Sequence, residues 1–357
     1  MACQYFSEDV FELKGQSVLD RSLIKSTVTL PAVKMINQSD IKPILKLIKK
    51  LKIGCDRTNF NPVMKDKNCI LISPGYNKWT QTEKERISEK YEVISHDYEF
   101  EYSNYTAAEI IDLMLPDDLP RVSGFGSIGH ILQVNLKKEH FTYQTLIGQV
   151  LLDKVSTAKT VVAKNDSLGE NGEKNIFRIL PFEVIAGESC LETVHKEHGN
   201  AFHLNLSETY WNSRLQEEHQ IMAKLIDQQS LCVDLCCGIG PFVIPIAKRG
   251  VSVMANDLNP NSIKWLRKNI TENLTPSRSR EAKVRAGRLE PYGTVDVKNK
   301  DGHDIIRHDL YDAIIEQKFD QIECLMNLPG GAIFFLPTFK GSHPRSIKLH
   351  VNLCCIF

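Results

Sequence analysis

A chain of 357 residues and 40.5 kDa is long enough for two or three domains, and with 42% hydrophobic and 25% charged residues it can bury a sizeable core. Those figures exclude a disordered, collagen-like or purely coiled-coil chain. Lysine plus arginine and aspartate plus glutamate both number 44, so any footprint for a nucleic acid has to be local.

The N-terminus, MACQYFSEDVFELKG, is acidic and lacks a long apolar stretch, so it reads as neither a signal peptide nor an Arg-rich transit peptide. From Arg21 to Pro116 basic helical stretches mix with short strand-like runs. Ser39 or Asp40 can cap a helix with Ile41, Ile44, Leu45, Ile48 and Leu51 on one face and Lys42, Lys46, Lys49, Lys50 and Lys52 on the other. Such a lysine face is either solvated or a surface for phosphates. CILIS (69–73) reads as a buried strand closed by Pro74-Gly75, and LPDDLP (115–120) as a domain boundary.

Beyond that boundary comes an α+β region. HILQVNL (130–136) and TVVAKN (160–165) are strand-like, HFTYQTLIGQVLLDKV (140–155) is helical, and DSLGENGEKN (166–175) is a polar turn. FRILPFEVIAG (177–187) and LETVHKEHGNAFHLNL (191–206) read as further strands with one open face. From Tyr210 helices and strands alternate: a helix over 211–227, LCVDL (231–235), a helix over 240–250, VSVMAND (251–257) and a helix over 261–274. After a charged loop over 275–293 come TVDVKN (294–299), a helix near Ile305–Ile315 and QIECLMN (321–327). That alternation implies right-handed βαβ units and a mostly parallel, Rossmann-like sheet. Expected domains are therefore 1–115, 116–208 and 209–357.

Ten cysteines, with no CxxC pair among them, read as reduced thiols rather than zinc ligands or a disulfide framework. No run approaches the roughly 18 apolar residues of a membrane span. A soluble intracellular protein is expected.

The strongest local signal is D-L-C-C-G-I-G-P-F (234–242) at a strand-to-helix turn, where Gly238 and Gly240 let the backbone pass close to a ligand. Asp257, with Leu258 after it, ends the next strand and can accept bonds from ribose hydroxyls, and Asp301-Gly302 follows the third strand, where an acid can meet an adenine amino group. The third glycine of a pyrophosphate cradle is replaced by Pro241-Phe242, which favours S-adenosylmethionine over NAD, with Asp234 near its charged methionine portion. The fourth strand ends in N-L-P-G (327–330), whose Asn327 amide suits the edge of a planar base. His130 and His195 have no second ligand at metal spacing, and no metal site is expected.

With these residues together the chain resembles the tRNA (guanine-37 N1)-methyltransferase family of eukaryotes and archaea. The resemblance covers roughly residues 20–340 and includes S-I-G-H-I (127–131), F-R (177–178), E-V-I-A-G-E (183–188), H-K-E-H-G (195–199), Y-W-N-S-R-L (210–215), N-D-L-N-P (256–260) and M-N-L-P (326–329). It implies a class I methyltransferase domain preceded by α+β tRNA-binding domains, with tRNA bound through its outer corner and anticodon loop. It also implies methyl transfer from S-adenosylmethionine to N1 of guanine 37. Guanine N1 must lose a proton while charge grows on O6, which calls for a base and a cation. The family pattern puts Glu197 in the first role and Arg178 in the second, with Asn327 orienting the extruded base and Arg214 and His219 bordering the donor. No membrane partner, a monomer, and a cytoplasmic, nuclear or mitochondrial address are the accompanying expectations.

The C-terminus departs from the pattern: LHVNLCCIF (349–357) reads as a fifth strand, and the closing hairpin of the class is not there to follow it. Two alternatives accordingly stand beside an active enzyme: a non-catalytic tRNA-binding remnant, and an aminocarboxypropyl transferase acting on a modified guanine.

Overall fold

The computed structural model describes residues 5–55, 59–74, 79–122, 124–164, 176–287, 289, 291–315, 319, 321–340 and 347–352. The polar turn expected over 166–175, Gly75, Cys3, Cys354, Cys355 and the last residues of the fifth strand lie outside these. Contacts divide the chain into two compact units, Met1–Ser123 with Leu136–Ser156, and Gly124–Asn135 with Thr157–Phe357. The segment expected as a middle domain, 116–208, is thus shared between the two.

The first unit is built on an antiparallel sheet of β1 (Lys25–Lys34), β2 (Val63–Met64), β3 (Cys69–Leu71) and β4 (Val93–Glu101) in the order β2-β3-β1-β4. Helix α1 (Ile41–Leu51) buries Ile44 and Ile48 in one core with Val33, Ile70, Ile72 and Ile87, while all five lysines of its other face are exposed. Asn37, rather than Ser39 or Asp40, caps this segment. Its side chain accepts from the Ser39 N–H at 3.0 Å, and the Asp40 carboxylate reaches back to the N–H groups of Ile36 and Asn37. The unit is completed by α2 (Gln81–Ser88), α3 (Ala107–Met114) and α4 (Gln144–Lys154).

The second unit holds a mixed sheet, a hairpin and a parallel sheet. The mixed sheet runs β5 (Phe125–Ile128), β6 (Ile131–Val134), β7 (Thr160–Lys164) and β8 (Phe182–Gly187). The strand expected from Phe177 starts only at Phe182: Arg178 has φ 56° and Pro181 lacks an N–H, so the chain between them cannot join a ladder. The hairpin pairs β9 (Glu192–Glu197) with β10 (Asn200–Asn205), Glu197 opposite Asn200. Its two-residue turn, His198-Gly199, has positive φ at both positions, the type I′ geometry that matches strand twist.

The parallel sheet has the order β13-β12-β11-β14-β15, from β11 (Ser230–Asp234), β12 (Ser252–Asn256), β13 (Val295–Lys298), β14 (Gln321–Asn327) and β15 (Ile347–Asn352). Helices α5 (Gln216–Leu225), α6 (Val243–Lys248), α7 (Pro260–Leu274), α8 (Arg278–Arg285) and α9 (Leu310–Ile315) accompany it. Its strands are apolar on both faces and feed two separate cores. The expected doubly wound arrangement is present, and ligands of such sheets bind beyond the carboxyl ends of the strands, where the order reverses between β11 and β14. The region expected as a charged loop over 275–293 contains α8. Ser277 caps it, accepting from the Arg280 N–H at 3.2 Å, and RSREAKVR is rich in good helix formers.

Helix α7 also holds the hairpin. The buried Asn269 amide accepts from the His203 N–H at 2.7 Å and donates to the His203 and Ile239 carbonyls at 3.1 Å each. One turn on, Asn273 accepts from the Ala201 N–H at 2.9 Å and donates to its carbonyl at 2.7 Å. Two side-chain amides thereby satisfy the backbone of β10 on the side away from β9.

Candidate functional site

A cavity of about 670 Å³ opens at the carboxyl ends of β11, β12 and β14. Its wall carries Arg178, His219, Gly238, Asp257, Leu258, Asp301, Gly302 and Asn327, all singled out from the sequence. Glu197, Asp234, Gly240 and Arg214 are not on it.

The turn after β11 is fixed by neighbours before any ligand enters. The Asp257 carboxylate accepts from the Gly238 N–H and the Asn259 N–H, each at 2.8 Å, leaving further lone pairs on both oxygens for a diol. Burial nonetheless pushes its carboxyl up, against those two bonds. Asn256 ties the turns together: its amide donates to the carbonyls of Leu235 and Lys300 and accepts from the Lys300 N–H at 2.9 Å. Gly238, at φ 55°, presents no side chain to the wall, and a Cβ there would meet nothing within 4 Å. Gly240 serves a different purpose, since a Cβ on it would lie 2.6 Å from Leu266 Cδ1; it lets α7 approach the turn.

Asp234 is fully buried. Burial pushes its carboxyl up to about 7, opposed by the Cys236 N–H and reinforced by Asp257. Its Oδ2 has no hydrogen-bond partner among the described residues. Asp301 caps the helical turn Gly302–Asp304, accepting from the His303 N–H at 2.7 Å, and is exposed. Cys236 also lines the cavity, but burial, followed by the charges of Asp257 and Asp234, raises its thiol far above the usual range, so no thiolate nucleophile stands there.

On the opposite wall the Arg178 guanidinium donates to the Pro329 carbonyl, not to Glu183 or Glu188. Gly331 permits this: a Cβ there would sit 2.8 Å from Arg178 Nη2 and 2.7 Å from Leu328 Cδ2. Asn327, at the end of β14, leaves its buried Oδ1 without a partner among the described residues. That free acceptor, the open wall at Gly238 and the paired lone pairs of Asp257 fit a nucleoside-bearing donor.

Glu197 is buried, only 4% exposed. Its Oε1 accepts from His219 Nδ1 at 2.7 Å, and its Oε2 is buried without a partner among the described residues. His195, Trp211, His219 and Phe242 pack in a row around the pair, with ring centroids 5.3, 6.1 and 4.8 Å apart. Burial holds the His195 imidazole below its usual range, Glu197 opposing and His219 adding to the shift. Arg214 lies exposed in the turn Ser213–Leu215, whose cap is Asn212. Tyr210, Trp211, His303, Phe334 and Phe335 line the cavity with no role assigned to them from sequence. For Trp211 the motif Y-W-N-S-R-L was the only signal, and it named no function.

Residues 193–282 match the model of the TRM5/TYW2 methyltransferase domain, and residues 108–190 that of the TYW2 N-terminal domain. A tRNA (guanine(37)-N(1))-methyltransferase of Ciona intestinalis is 33% identical over 344 residues, covering 92% of this chain and 70% of that one. Among solved structures, Trm5b of Pyrococcus abyssi superposes with a TM-score of 0.58 at 21% identity, over 88% of this chain and 81% of the other. The complex of aTrm5 with tRNALeu gives 0.57 at 20% identity, over 87% and 83%. The shared fold is a class I methyltransferase sheet with preceding domains.

Proposed function

Because the chain belongs to the tRNA (guanine(37)-N(1))-methyltransferase family, we propose that it transfers a methyl group from S-adenosylmethionine to N1 of guanine 37. The observation that carries this reading is the gathering of Arg178, Asp257, Asp301 and Asn327 on the wall of one cavity. Bound S-adenosylmethionine would supply an electrophilic methyl carbon. Asp257 would accept from its ribose hydroxyls and Asp301 from its adenine amino group, while the buried Asn327 amide orients the extruded guanine. Arg178, held in place by Pro329, offers its remaining N–H groups to the charge that grows on O6. The Glu197–His219 pair receives the N1 proton. The tRNA bound by the aTrm5 relative supports tRNA as the partner, and the lysine face of α1 supplies a local basic surface of the kind phosphates need.

The test is single-turnover methylation of a tRNA transcript with guanine at position 37, beside one with adenine there. Methyl on the first alone is expected. Donor binding without methylation of either would overturn the reading in favour of a binding remnant, and the mass of the modified nucleoside distinguishes methyl from aminocarboxypropyl transfer.

A further inference from the structure

After N-L-P-G the chain turns into a 3-10 helix, Ala332–Phe339, that is pinned from one side. Ala332 is buried, and Phe335 packs on the backbone of Gly302, where a Cβ would meet its Cε1 and Cζ at 2.8 Å, and on the His303 ring with centroids 4.9 Å apart. Phe334 stays out of that core: it is 69% exposed, yet it lines the cavity. No ring contact holds it among the described residues. The Phe334 N–H closes a turn on the Gly331 carbonyl at 3.0 Å, and at three residues per turn its side chain projects over the place of the Cβ that Gly331 lacks. That place faces Arg178 Nη2 at 2.8 Å and Leu328 Cδ2 at 2.7 Å. The ring therefore stands at the mouth of the cavity on the Arg178 side, where a flat apolar face laid over it would take it out of water.

We propose that Phe334 is a stacking platform for a base of the RNA loop, that of a nucleotide flanking the extruded guanine. This deepens the methyl-transfer reading above and rests on it. Drawing guanine 37 out of its stack uncovers a face of each neighbouring base, and aromatic side chains hold single-stranded loops by lying against such faces. The guanine itself goes deeper, to Asn327, whose Oδ1 is buried, whereas a ring 69% exposed at the mouth meets what lies just outside. The other flat surface within the cavity is the adenine of the donor. It belongs at Asp301 and Gly302, on the side of the helix that Phe335 occupies. A phenyl ring offers no hydrogen bond, so the contact adds affinity without selecting among bases.

F334A, F334L and F334W in the full chain test this with tRNA transcripts carrying guanine 37. Because Phe334 lies outside the core, F334A should keep Tm within roughly 2 °C of the wild type. It should weaken tRNA binding by about 5- to 100-fold, the range for one base stacked on an aromatic ring. The slope of log K on log salt should not change, since no phosphate contact is lost. F334W should restore wild-type binding and F334L should restore less of it. Donor affinity by calorimetry should be equal in the wild type and F334A. Transcripts with 2-aminopurine at 36, 37 or 38 locate the stack: the emission change on binding at 36 or at 38 should shrink in F334A. An effect of F334A confined to 2-aminopurine at 37 would overturn the proposal in favour of the target base. A loss of donor affinity with tRNA binding intact would overturn it in favour of adenine, and equal tRNA binding by F334A and the wild type would overturn it outright. Should the wild type show the Phe334-dependent emission change at 36 or 38 yet transfer no methyl group, the platform stands and the methyl-transfer reading fails.

Discussion

Replacing Asn269 by alanine removes one side chain that serves three backbone groups. Its carboxamide is fully buried and holds the His203 N–H at 2.7 Å and the carbonyls of His203 and Ile239 at 3.1 Å. The His203 N–H loses its acceptor, a loss worth about 1–3 kcal/mol, and the two carbonyls each lose a donor, so the total is about 2–4 kcal/mol. For a unit of this size that lowers Tm by roughly 5–15 °C. Thermal and urea unfolding of N269A measure the loss, with E272A, on an exposed position of the same helix, as a control near zero. Hydrogen exchange at the His203 amide should accelerate in N269A. Because the hairpin carries Glu197, methylation should fall alongside. A loss below about 0.5 kcal/mol, with unchanged exchange at His203, would refute the view that α7 supplies the missing partner of β10.

The two glycines of the donor turn should separate. G240A forces a Cβ against Leu266 at φ 98° and should cost about 1–3 kcal/mol of stability, whereas G238A, with open space but φ 55°, should carry only the backbone strain of about 1 kcal/mol and in addition weaken donor binding by calorimetry. Asp234 is raised in the folded state from 3.8 to about 7, so between those values the folded form binds the extra proton and stability falls as pH rises, by up to about 4 kcal/mol for this group. Urea unfolding at pH 5 and pH 8 should show D234N gaining on the wild type at the higher pH; an equal gap at both would count against the burial argument. Each alanine replacement among Lys42, Lys46, Lys49 and Lys50 that removes a phosphate contact should flatten the dependence of log K for tRNA on log salt by about 0.7–0.9. Unchanged slopes would leave those lysines a solvated face.

The doubly wound sheet was legible because its signal is periodic: apolar runs such as LCVDL and VSVMAND separated by helical stretches admit few other arrangements. Helix α8 was hidden by its charge, since a helix whose apolar residues are Ala282 and Val284 alone has no apolar stripe to betray it. The late start of β8 follows from the positive φ of Arg178, which no pattern announces, together with Pro181, which the sequence displays. In the site, Asp257, Asp301 and Asn327 found the cavity because they follow or end strands of the parallel sheet, whereas Asp234, at the end of β11, is buried off that wall. Glu197 did not, because what stands between an acid and a cavity depends on packing between residues far apart in the chain, here Trp211 and His219. The amide bonds of Asn269 and Asn273 were invisible for the same reason.

The last described strand is held to its neighbour by charge. Glu323, wholly buried on β14, accepts from His350 Nε2 at 2.6 Å, from Lys348 Nζ at 2.9 Å and from the Asp227 N–H at 2.9 Å. Burial alone would raise its carboxyl, yet these donors together hold it below the ordinary range. Lys348 and His350 are two apart and so project from one side of β15. A slip of one position along β14 would turn both away and strand a carboxylate in the interior. Apolar strands slide readily past one another at modest penalty; this trio works as a tooth in a ratchet, admitting a single alignment for the strand that flanks the acceptor end of the sheet.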